Sequence, residues 1–75
     1  MGLDKRTRLL IARDNAYREY TWAMNEAEQA EQIFSKEKNP LKQAALKKNW
    51  GFARSRATYL RGRWQQAIAA IQALD

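Results

Sequence analysis

Glu26, Glu28 and Glu31 form the densest group of carboxylates in the chain. Paired carboxylates are the residues that general acid–base chemistry uses, provided a cleft holds them and excludes water. Helical spacing turns Glu28 away from the side that Glu26 shares with its neighbours, so the cluster does not read as a pair. The chain has no His and no Cys. The commonest general base, the commonest transition-metal ligand and any thiolate nucleophile are therefore missing. Gly2, Gly51 and Gly62 stand too far apart to build a phosphate-cradling loop. These residues lead to no catalytic group, no metal site, no cofactor and no small-molecule substrate, and the chain reads as non-enzymatic.

The remaining chemistry belongs to surfaces. Trp22, Ile33, Phe52 and Tyr59 are large apolar residues at spacings that put them to one side of any helical seam. Exposed aromatic patches mark contact surfaces. Gly51, Ser55, Thr58 and Gly62 recur at i, i+4, i+7 and i+11, a strip of small residues along one helix face. Each Gly there costs about 1 kcal/mol of helix propensity relative to Ala. A strip of this kind lets another backbone come close.

The net charge of +6 and pI near 10.1 add a third surface. Between Pro40 and Leu74 there are seven basic residues and no acidic one. The acids between Glu19 and Glu31 offset the middle of this stretch, leaving positive charge at the end that carries Lys5, Arg6, Arg8, Arg13, Arg18, Arg61 and Arg63. Arg13, Arg18, Arg61 and Arg63 are the candidates for phosphate contacts with RNA or DNA, a mode that is steeply salt-dependent.

Two long helices must position all three surfaces. The single proline, Pro40, follows Asn39. Asn is a good N-cap and Pro suits the first helical position. The spacing predicts one helix from about Asp4 to Lys36, a turn over 37–39 and a second helix from about Pro40 to Leu74, all in a single 75-residue domain. Leu46, Trp50, Ala53, Ala57, Leu60, Trp64, Ala67, Ile71 and Leu74 keep a strict alternation of four and three, a heptad seam over four repeats. Leu9, Ala16, Tyr20, Ala23, Ala27, Ala30 and Phe34 repeat it in the first helix, broken only at Arg13.

Folding back at Lys38–Asn39 pairs residues whose numbers sum to roughly 79, given equal rise along both helices. Trp64 then faces Ala16 and Trp50 faces Ala30, large against small. Beside the seam, Glu19 and Glu26 meet Arg63 and Arg56, while Leu10, Tyr17 and Met24 meet Ile68, Arg61 and Arg54.

The expected fold is all-α: an antiparallel coiled-coil hairpin of two helices, with dimerisation into a four-helix bundle as its extension. The expected function is a small protein–protein interaction module, a regulator, inhibitor or assembly adaptor. It binds a protein partner or itself through Trp22, Ile33, Phe52 and Tyr59 and through the Gly51–Gly62 strip. The alternative is a basic hairpin that binds nucleic acid through phosphates. No apolar run approaches the length of a membrane span and no signal-peptide core is visible, so the expectation is a cytoplasmic protein without a membrane role.

Overall fold

Asp4 and Asn39 set where the two helices begin. In the computed structural model, which describes residues 2–74, helix α1 spans Lys5–Lys36 and helix α2 spans Pro40–Gln72. Asp4 is the N-cap of α1, its carboxylate accepting the Thr7 backbone N–H at 2.7 Å. Asn39 caps α2 by accepting from the N–H groups of Leu41 and Lys42 at 3.0 and 3.4 Å. Pro40 opens that helix without an N–H to satisfy. These bonds answer donors that the first turn of any helix leaves unpaired.

The reversal is held from both sides. The Glu37 N–H donates to the Phe34 carbonyl at 3.3 Å, and the Glu37 carboxylate accepts the Asn39 N–H at 3.0 Å. The Gln43 side-chain amide reaches back across the turn to the same Phe34 carbonyl at 3.4 Å. The first turn of α2 is thereby tied to the last turn of α1.

The helices lie side by side as an antiparallel hairpin measuring 57 × 20 × 14 Å. A helix with its side chains is about 10–12 Å across. The molecule is therefore two helices wide and one thick, and each broad face of the slab is open. Its centre is made of small residues: Ala23, Ala27 and Ala57 are buried, together with Leu60 and, nearer the far end, Ile71. Ala23, Ala57 and Leu60 pack as one cluster with Tyr20 against it. Alanine at these levels lets the helices approach closely.

Trp50 and Trp64 are half-buried at the seam, as the heptad spacing requires. Their contacts extend beyond the predicted alanines. Trp64 stacks on Tyr20 with ring centres 5.8 Å apart and meets Tyr17 at 5.0 Å. Trp50 meets Phe34 at 5.2 Å. Large rings thus interlock diagonally across the seam, above and below an alanine-lined middle. The second helix ends two residues earlier than predicted, where the Leu74 N–H bonds to the Ile71 carbonyl at 3.1 Å and closes a tighter turn.

Candidate protein-contact surface

Arg56 organises one broad face. Its guanidinium carbon lies 4.9 Å from the centre of the Trp22 ring on the facing helix. The same guanidinium comes within 3.9 Å of the Glu26 carboxylate. Glu26 stands four residues after Trp22, so Arg56 bridges one turn of α1. Phe52 and Tyr59 precede and follow Arg56 by about one turn on α2 and therefore share its side. Trp22, Ile33, Phe52 and Tyr59 are 52%, 56%, 65% and 66% exposed. The hairpin brings these side chains to one face and leaves them uncovered.

Ile11 belongs to this face and was not among the residues singled out by spacing. Ile11, Trp22 and Ile33 stand eleven residues apart, three helical turns each, so they form a straight ridge along α1. Ile11 is exposed like the other two. The signal was an eleven-residue period, which a search for sevens passes over.

The expected pairs beside the seam form only in part. Glu26 and Arg56 meet, whereas Glu19 and Arg63 do not come within 4 Å of each other. Arg13, expected to carry free charge, instead pairs with its neighbour Asp14 at 3.1 Å. No carboxylate lies within 4 Å of Arg18, Arg61 or Arg63 among the described residues.

The opposite broad face carries an open trough. One part, about 230 Å³, is lined by Tyr20, Met24, Ala27, Arg54, Thr58 and Arg61 among others. A second part, about 350 Å³, runs on past Glu28, Glu31 and Trp50. Met24 and Arg54 both line it, and the Arg54 guanidinium carbon sits 5.4 Å from the centre of the Trp50 ring, one turn back on its own helix. The trough has no buried polar atom without a partner. It is too open to exclude water, which acid–base chemistry at Glu28 and Glu31 would require.

The four arginines proposed for nucleic acid do not converge. Arg61 lines the trough. Arg63 stands two turns after Arg56 and so lies toward the Trp22 face, as does Arg18, one turn before Trp22. One member of the small-residue strip lies beside this trough. Thr58 borders the trough, its hydroxyl donating to the Arg54 carbonyl at 3.1 Å. A Cβ added at Gly51 or Gly62 would meet no atom of the described residues within 4 Å beyond its own stretch of helix, so packing does not require glycine there.

The Asp4 carboxyl has a lowered pKa. The Thr7 backbone N–H bond, followed by the Thr7 side chain, holds it below the ordinary aspartate value. Among the described residues there is no group of three or more His, Cys, Asp or Glu able to hold a metal ion. No helix among them is long and apolar enough to cross a membrane. Comparisons with known family models, with curated proteins and with solved structures return no match.

Proposed function

We propose that the hairpin is a non-enzymatic interaction module, acting as a regulator, inhibitor or assembly adaptor. It docks through the face formed by Trp22, Ile33, Phe52 and Tyr59. One observation carries this reading: four large apolar side chains, each more than half exposed, surround the Glu26–Arg56 pair on a rigid two-helix frame. Trp, Tyr and Arg are the residue types that dominate binding energy at protein interfaces. Arg56 held against Trp22 is already ordered, so docking costs little further side-chain entropy there. Gly51 and Gly62, on the strip they share with Thr58, offer a second edge where a partner backbone can approach closely.

Trp22→Ala and Tyr59→Ala test the reading. Both side chains project from the slab, so helical circular dichroism should be retained. Association, followed by sedimentation and by capture of partners from the source cell, should weaken by about tenfold or more in each variant. Unchanged association in both variants rejects the proposal.

A second reading draws on Arg18, Arg61 and Arg63, none of which has a carboxylate within 4 Å among the described residues. On this reading the basic end contacts the phosphates of RNA or DNA without regard to sequence. Reversing charge at Arg61 and Arg63 should then lower affinity and flatten its dependence on salt. Absence of binding at low salt removes it.

A further inference from the structure

We infer that the occupant of the Trp22 face is a second copy of this chain, laid on the first about a two-fold axis parallel to the helices, so that α1 of each copy covers α2 of the other. The inference rests on the docking face proposed above and names its partner.

Area gives the first argument. The chain exposes 6091 Å². A compact monomer of 8.8 kDa exposes about 4,800 Å². The excess, roughly 1,300 Å², is larger than the ~800 Å² that each partner contributes to a standard interface. Its origin is the slab's thickness of one helix, which denies each helix a second layer to pack on. Pairing two slabs face to face supplies that layer.

Charge complementarity then selects the arrangement. Beside the seam on this face α1 carries the acids Glu19 and Glu26, with Arg18 farther out toward its edge, and α2 carries the bases Arg56 and Arg63. Stacking α1 on α1 and α2 on α2 opposes like with like. A two-fold axis along the slab keeps every residue at its own level and sets α1 on α2. Glu26 of one copy then lies over Arg56 of the second copy. Both already pair within their own chains, so the four groups close a ring of alternating sign. Glu19 and Arg63, which stay apart within the chain, each gain an opposite charge across the interface.

The apolar levels agree with this arrangement. Trp22 lies at the level of Tyr59, and the exposed Ile11 at the level of the small Ala70. The ridge of Ile11, Trp22 and Ile33 spans about 33 Å, so contact runs along most of the hairpin.

Sedimentation equilibrium from micromolar to submillimolar concentration tests the claim. The wild-type chain should approach twice 8.8 kDa. Glu19→Arg alone and Arg63→Glu alone should each weaken self-association about tenfold, because each opposes like charges across both contacts. Mixing the two variants restores Glu–Arg pairing at both contacts, so the mixture should recover near-wild-type affinity as a one-to-one heterodimer. No rescue within a single chain can produce that result.

A wild-type chain that stays at 8.8 kDa throughout, or a mixture no tighter than either variant alone, overturns the inference. If the wild type is monomeric yet captures a different protein in a manner that Trp22→Ala abolishes, only the second copy is rejected and the docking face stands. If Trp22→Ala changes nothing in either assay, the face itself is rejected.

Discussion

The two broad faces of the slab are built from the same helices and similar residues, yet they treat their apolar surface differently. On the trough face, Arg54 lies over Trp50, and Tyr17 leans on Trp64. The chain covers its seam tryptophans with its own side chains. On the other face the Arg56 guanidinium lies over Trp22, while Phe52 and Tyr59 have no ring partner among the described residues. The seam tryptophans can be covered because they stand at heptad positions, where the facing helix supplies Tyr17, Tyr20 and Phe34. Trp22, Phe52 and Tyr59 stand off the seam, where a slab one helix thick has nothing further to offer. The seam tryptophans are half-buried, whereas Trp22, Phe52 and Tyr59 are each more than half exposed.

The largest expected effect sharpens this contrast between seam and face. Leu60 is 6% exposed and packs with Ala23 and Ala57. Leu60→Ala should cost about 2–4 kcal/mol, a transfer loss plus a cavity that the alanine-lined middle cannot fill. For a domain this small that is most of its stability, so the variant should melt far below the wild type or fail to fold. Phe52→Ala removes a larger side chain and should change stability by less than about 0.5 kcal/mol in dilute solution. Its cost should rise with protein concentration as the paired form becomes populated. Thermal melts followed by circular dichroism at two concentrations separate the variants. Equal losses from Leu60→Ala and Phe52→Ala in dilute solution would erase the distinction between seam and face.

The same contrast explains which features could be read from the sequence. Asn39–Pro40 marked the reversal because both act locally, one through its side-chain acceptor and the other through its fixed φ. The run from Leu46 to Ile71 marked the seam because a period of 3.5 admits one buried stripe. Trp22, Ile33, Phe52 and Tyr59 could be named because they fall outside that stripe. Rotamers were not legible. A heptad says which side Trp64 faces but not that Tyr17 and Tyr20 will both reach it. Spacing sets Arg54 beside Met24 but does not say that its guanidinium will settle over Trp50. Arg13 taking Asp14 in place of solvent has the same cause. Register sets Glu19 and Arg63 at neighbouring positions without closing the last few ångströms.

A middle-sized effect tests whether the glycine edge belongs with the covered seam or with the Trp22 face. Gly51 and Gly62 meet no atom that a Cβ would displace. Gly51→Ala and Gly62→Ala should therefore each stabilise the isolated hairpin by about 1 kcal/mol, through helix propensity and a less flexible unfolded chain. If the edge admits a partner's backbone, the same double variant should bind that partner more weakly although it melts higher. Opposite movement of stability and association would mark the edge as a contact. Higher stability with unchanged association would confine the working surface to the Trp22 face.

The smallest effect lies at the α1 N-terminus, remote from both faces, and it gives a control in which neither should respond. The Asp4 carboxylate accepts the Thr7 N–H, and its pKa lies below the ordinary aspartate value in the folded chain. A carboxyl group whose folded pKa is depressed contributes stability that is complete above its unfolded pKa and is lost as pH falls through the folded one. Acidification should therefore loosen the first turn of α1. Asp4→Asn keeps a capping oxygen that does not titrate, so the two proteins should melt alike near neutral pH, with the wild type falling behind in acid. Hydrogen exchange at Thr7 and Arg8 reads this locally, since the Arg8 N–H bonds to the Asp4 carbonyl at 3.1 Å. Protection at Thr7 that is lost equally in both proteins would show that the cap acts through backbone geometry and not through the carboxylate's charge.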